Sequence, residues 1–403
     1  MLQQRDSLIV GTRWRRIGKP LGQWLLPLSD ERLCEQAKKR TGLEDFGDPP
    51  VKPALRALVQ SLETQADLHP IGRFLMRGHL CQLLANRLRL AEAWKQEREA
   101  IENSPVRQPI FVVGMPRTGS TFLHELLAQD PANRAPLVWE VMFPVPDKRG
   151  GKDRRLRKTE ASLWWFRRIA PGADSVYPVR ARTPHECVAI HSHTFLSQEF
   201  DATCDVPDYR SFLRSADLMP AYVWEKRFLQ YLQSSSSPKR WILKSPDHVF
   251  GLEELFKVFP DAVIVQTHRN PMEVLRSTTQ LTHVLHGLYA WPRNGDDITL
   301  REARALADAT ERFIHFRDRH PELQGRFIDL KYSELVSEPM SAVEKIYERI
   351  NCPLLPEARG RMEQLASSRS RYPRRNAHPV RELAIASVEA SRFERYSARF
   401  GLL

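Results

Sequence analysis

The sequence predicts an α/β protein: a three-layer fold with a central parallel sheet, a P-loop-like phosphate loop at the end of its first strand, and a helical N-terminal lobe. Three observations carry this. A short, wholly apolar run closes on a glycine at IFVVG (110–114) and leads into the helix-like stretch STFLHELLAQ. Similar runs recur at 241–243, 262–265 and 326–330, each followed by a helical stretch. Residues 1 to about 104 hold helical periodicity and no strand-like run. Short buried strands alternating with helices are the pattern of a parallel sheet covered on both faces. The expected division is a lobe over 1–104 and an α/β domain over 105–403.

In chain order, the lobe rests on apolar residues at helical spacing: Leu55, Leu58, Val59 and Leu62, then Leu80, Leu84 and Leu88. Pro49, Pro50 and Pro53 break the chain before it, and Ser104-Pro105 closes it. After the first strand and its helix, residues 137–237 lack a clear βα rhythm. Within them DKRGGKDRRLRK carries seven basic and two acidic residues, either a solvated loop or a flap over an anionic ligand.

Composition bounds the function. At 403 residues, 42% hydrophobic and 27% charged, the chain is that of a soluble globular protein with room for a sizeable core. A net charge of +12 calls for an anionic partner without choosing among nucleotide, anionic acceptor, membrane surface and nucleic acid. Five scattered cysteines lack CxxC spacing, so neither a disulfide framework nor a thiolate zinc site is expected, and the odd count fits a reducing compartment. The N-terminus has no unbroken apolar h-region and no run approaches the ~20 residues of a spanning helix, so a cytoplasmic protein without a transmembrane segment is expected.

The sharpest local signal is GMPRTGST, 114–121, between a strand and a helix. Its two glycines have the spacing of a loop whose backbone N–H groups and helix N-terminus cradle phosphate oxygens. Ser120 stands where a nucleotide-triphosphate enzyme places its lysine, which argues against ordinary ATP or GTP hydrolysis. Arg117 supplies a fixed charge, and Thr118, Ser120 and Thr121 supply hydroxyls. The second signal is THRNPME, 267–273, closing the apolar strand AVIVQ. Asn270 suits an N-cap, Pro271 a first helical residue, and Glu273 falls three after the cap as in a capping box. Arg269 then projects from the carboxyl end of a strand, where open α/β sheets bind ligands.

FVVGMPRTGSTFLHELL resembles the 5'-phosphosulfate loop of the sulfotransferase family, and HRNPMEVLRS resembles its 3'-phosphate motif. RAPLVWEVMFPVP, RWILKSPDHVFGLEELFKVFPDA and SRFERYSARFG resemble the branch with a helical N-terminal extension, so the likeness runs from about residue 40 to the C-terminus. The resemblance implies transfer of a sulfuryl group from 3'-phosphoadenosine 5'-phosphosulfate to a hydroxyl or amine, leaving 3'-phosphoadenosine 5'-phosphate, with no metal. It implies that Arg117, Thr118, Gly119, Ser120 and Thr121 bind the 5' end. Arg269 and Ser277 would hold the 3'-phosphate, joined by Arg374 and Arg375 in RYPRRNAH.

In-line transfer needs a base beside the acceptor and a cation beside the leaving oxygen. Glu140, placed as glutamate-using relatives place their base, is the first choice. Glu186 or His185 in TPHECVAIHSH and His248 in LKSPDH are rivals, and Lys244, ending WILK, resembles the lysine beside the bridging oxygen. His191 and His193 bring no further ligand set for a metal. A P-loop small-molecule kinase and a basic nucleic-acid-binding protein are the alternatives; the missing lysine opposes the first, and the lack of an RNA or zinc-finger motif opposes the second. The acceptor, whether small molecule, lipid or carbohydrate, is not specified by the motifs.

Overall fold

The computed structural model describes residues 26–146, 153–169, 178–234, 236, 239–370 and 390–402. Five strands, β1 (Ile110–Gly114), β2 (Asn133–Arg134), β3 (Arg240–Lys244), β4 (Val263–His268) and β5 (Phe327–Lys331), form one sheet in the order β2-β3-β1-β4-β5. Every pairing is parallel. Side chains alternate faces along a strand, and both faces here are apolar. Ile110 and Val112 pack with Leu123, Leu126 and Ile328 on one side. Phe111 and Val113 pack with Trp224, Phe228 and Leu243 on the other. Each such side chain contributes about 1.5–3 kcal/mol on burial, which is why these runs are strands inside rather than loops outside.

β3, β4 and β5 run on past their apolar stretches, so that Lys244, Thr267, His268 and Lys331 stand at their carboxyl ends. The sheet order also fixes where a ligand sits. The chain leaves β1 towards β2 on one side and leaves β4 towards β5 on the other, which opens a crevice between the carboxyl ends of β1 and β4. Gly114 pairs with Thr267, so both sequence motifs emerge into that crevice side by side.

The N-terminal helices Asp30–Thr41, Lys52–Thr64 and Pro70–Gln96 bury the predicted stripes, with Leu55, Leu58, Leu62, Leu80, Leu84 and Leu88 fully enclosed. Their core is completed by Phe195, Phe200, Val206 and Tyr209 from the segment between β2 and β3. That segment is itself helical in pieces, chiefly Pro207–Ser215 and Met219–Gln233. No helix among the described residues is long and apolar enough to cross a membrane.

Candidate active site at the carboxyl ends of the strands

The phosphate loop is shaped by close approach and by backbone that few residues adopt. A Cβ at Gly114 would lie 2.4 Å from Thr267 Oγ1 and 2.7 Å from its carbonyl oxygen, so only glycine lets β1 and β4 meet there. Arg117 has φ +67° and Gly119 φ +86°; for Arg117 this costs about 1–2 kcal/mol. The Thr118 hydroxyl donates to the Met115 carbonyl at 2.7 Å and lies 2.6 Å from Thr267 Oγ1. It locks the loop onto β4, leaving its backbone N–H rather than its hydroxyl for a ligand. The helix Ser120–Leu127 then starts without a side-chain cap, so the first-turn N–H groups of Ser120 and Thr121 stand open to an anion.

The second motif caps as predicted: Asn270 Oδ1 accepts from the N–H groups of Met272 and Glu273. Glu273 differs from the capping-box expectation, because its carboxylate takes Arg269 Nε at 2.8 Å instead of turning back to the cap. Arg269 also donates to the Arg117 carbonyl at 3.0 Å and lies over the Tyr332 ring at 4.3 Å. Arg117 Nε donates to Ser277 Oγ at 3.0 Å. Two guanidiniums therefore converge on one crevice. Partial desolvation first, and then repulsion from Arg269, push the Arg117 pKa down, a cost that a bound anion reverses. Arg374 and Arg375 lie outside the described residues.

At the end of β3, Lys244 is 4% exposed. Its ammonium sits 2.6 Å from Glu186 Oε1 and donates to Thr121 Oγ1 at 3.2 Å. Glu186 is brought there by an edge contact: Leu137 bridges to Pro184, and the His185 N–H donates to the Pro136 carbonyl at 2.7 Å. The glycine loop, the Arg117 and Arg269 guanidiniums and the Lys244–Glu186 pair thus share one rim of the sheet.

The family model described as the Sulfotransferase family matches residues 109–357, which begins just before β1 and takes in both motifs. The chain belongs to the sulfotransferase family. Curated relatives include the omega-hydroxy-beta-dihydromenaquinone-9 sulfotransferases Stf3 of Mycobacterium bovis and Mycobacterium tuberculosis, each 26% identical over 285 residues. The match covers 63% of this chain and 65% of theirs, so it spans just under two thirds of their length. Among solved structures, sulfotransferase STF1 of M. tuberculosis H37Rv superposes with a TM-score of 0.76 at 30% identity, over 83% of this chain and 93% of that one. STF9 of Mycobacterium avium gives 0.79 at 27% identity, over 93% and 97%.

In this member of the family the candidate bases do not stand alike. Glu140 is buried, its Oε1 accepting from Arg134 and its Oε2 from the Leu137 N–H, each at 2.9 Å. The carboxylate proposed first as the base thus closes the start of its own helix, Val138–Met142. His248 is 1% exposed, shares a hydrogen bond with the Tyr222 hydroxyl and meets Phe111 edge-on; burial pulls its pKa down to about 4. His185 adjoins Glu186, and burial lowers its pKa as well. His191 pairs with Glu225 and His193 contacts the Ile190 carbonyl, so the two do not converge. Cys187, Glu225 and His248 do bring ligand-type atoms within 4.8 Å of one another in the core, where Glu225 and His248 already bond His191 and Tyr222.

Sequence reasoning missed Asp247. It lines a cavity of about 170 Å³ between the loop (Gly114, Met115, Pro116) and the helices Pro271–Tyr289 and Gly295–Arg319. Burial first, and the Glu186 charge second, push its carboxyl up to about 7. The available signal was Ser245, whose hydroxyl accepts from the Asp247 N–H and sets the turn that aims it.

Proposed function

We propose that the chain transfers a sulfuryl group from 3'-phosphoadenosine 5'-phosphosulfate to the hydroxyl of an apolar acceptor by in-line displacement. The observation that carries this is the Lys244–Glu186 pair at 2.6 Å, seated against Thr121 of the phosphate loop. The donor supplies an activated sulfur whose leaving oxygen bridges to phosphate. Backbone N–H groups of 118–121 and the Arg117 guanidinium hold its 5' end; Arg269 and Ser277 hold its 3'-phosphate. Both sites carry cationic donors suited to phosphate, and they open into one crevice, as a nucleotide charged at both ends requires.

Lys244 has three N–H donors. Two are directed to Glu186 and Thr121, and the third neutralises charge on the bridging oxygen as it leaves. Glu186, which stands beside Lys244 at the phosphate loop, takes the acceptor proton, while Glu140 is bonded to Arg134 and to the Leu137 N–H. The acceptor enters by the cavity beneath Pro116, whose walls include Leu281, Leu285, Leu306 and Phe313. The same walls carry Asp201, Asp247, Arg301 and Glu302, so the cavity pairs an apolar side for the body of an alcohol with polar groups that can orient its hydroxyl, and a menaquinone derivative is the acceptor named in the Stf3 relatives. Five free cysteines fit the cytoplasm as compartment.

The test is transfer of labelled sulfur from the phosphosulfate donor to a panel of prenyl alcohols, alkyl alcohols and phenols. Labelled organic product with the wild type and its loss in Lys244→Ala support the proposal. Phosphorylation of the same panel from magnesium-ATP, with no sulfur transferred, would replace it with a kinase.

A further inference from the structure

The helix Arg155–Ile169 carries an inverted surface. Its packed side is narrow: Thr159 and Leu163 are buried, with Leu163 against Val138 and Ala181 and Leu156 beside them. On its open side Trp164 is 48% exposed, Trp165 62% and Ile169 44%. These are three of the seven large apolar side chains exposed among the described residues, gathered within six positions, whereas exposed apolar residues are ordinarily scattered. The same helix holds five basic residues and one acid. Arg157, Lys158 and Arg168 are exposed on it, and Arg168 stacks on Trp164 at 4.8 Å.

We propose that this helix docks the protein on an anionic lipid surface, with Trp164, Trp165 and Ile169 entering the interface and Arg157, Lys158 and Arg168 meeting lipid phosphates. Indole rings are suited to the boundary between headgroups and hydrocarbon, and basic side chains extend their charge outward from beside them. A second copy of the chain would bring one basic stripe against another, which like charges oppose. Nucleic acid would meet the cations but leaves Ile169 unaccounted for.

The opposite, packed side of the helix adjoins the wall of the site. The helix packs on Val138–Met142, whose Val138 and Trp139 N–H groups donate to the carbonyls of Thr183 and Ala181, each at 3.1 Å. Glu186 begins three residues further along. This inference stands on surface chemistry alone and does not depend on the reaction proposed above.

The test is co-sedimentation of the full chain with vesicles of phosphatidylcholine alone and of equal parts phosphatidylglycerol and phosphatidylcholine. The wild type should pellet with the anionic vesicles and release as salt rises. Trp164→Ala/Trp165→Ala and Arg157→Glu/Arg168→Glu should each raise the lipid needed for half-binding at least roughly tenfold at an unchanged unfolding midpoint. Brominated lipids should quench part of the wild-type tryptophan emission, an arm that needs no variant. Wild type left in the supernatant with anionic vesicles, or a double tryptophan variant that binds as well as wild type, overturns the proposal. So does a dimer that Trp165→Ala dissolves, or DNA binding without vesicle binding.

Discussion

Arg117 Nε donates to Ser277 Oγ at 3.0 Å although 160 residues separate them. The contact ties the loop after β1 to the helix after β4, and with the Arg269 bond to the Arg117 carbonyl it joins the two motifs into one cationic rim. Like charges held together this way favour anionic ligands, and a nucleotide with phosphates at both ends satisfies both.

Arg269→Ala removes one charge-assisted contact, of about 1.5–3 kcal/mol. Calorimetry with 3'-phosphoadenosine 5'-phosphate should show affinity at least roughly tenfold weaker in the variant. Equal affinity in a folded variant would remove Arg269 from the site.

Turnover should persist in excess chelator, because Arg117 and Lys244 supply the positive charge that magnesium supplies to nucleotide-triphosphate enzymes. Activity lost on chelation and restored by magnesium or zinc contradicts this.

Four histidines, His124, His193, His248 and His286, are held near a pKa of about 4, chiefly by burial. Unfolded imidazoles take up protons as pH falls through about 6.5, while the folded ones wait until about 4. Stability should therefore be full above pH 7 and fall between pH 6.5 and 4, by up to roughly 3 kcal/mol per histidine. An unfolding midpoint that is flat over that window counts against the buried, neutral assignment.

Asp247 runs the other way. Its folded carboxyl keeps a proton until about 7, the unfolded one only until about 4, so its contribution to stability is present at pH 4 and lost as pH rises towards 7. Asp247→Asn should raise the unfolding midpoint relative to wild type at pH 8 and not at pH 4. The same difference at both pH values would contradict it.

The sheet was legible because its interior strands each carry a short apolar run, and the two motifs were legible because tight turns and anion sites demand glycine, arginine and an N-cap at fixed spacing. β2 was not, since Asn133 and Arg134 pair at the edge without an apolar signature. Glu140 and Glu186 were both visible as carboxylates. Their surroundings part through their partners: Arg134, six residues away, captures Glu140, while Lys244, from a distant strand, meets Glu186. The partners of the N-terminal helices, Phe195 to Tyr209, lie more than a hundred residues away, beyond any local periodicity.

The most direct measurement is the single-turnover rate of sulfuryl transfer in Glu186→Gln beside Glu140→Gln, with affinity for 3'-phosphoadenosine 5'-phosphate measured on both. The account predicts that Glu186→Gln slows transfer by ~10² to 10⁴ with product affinity nearly intact, while Glu140→Gln loses stability and keeps most of its rate. A normal rate in Glu186→Gln, with collapse in Glu140→Gln, would contradict it.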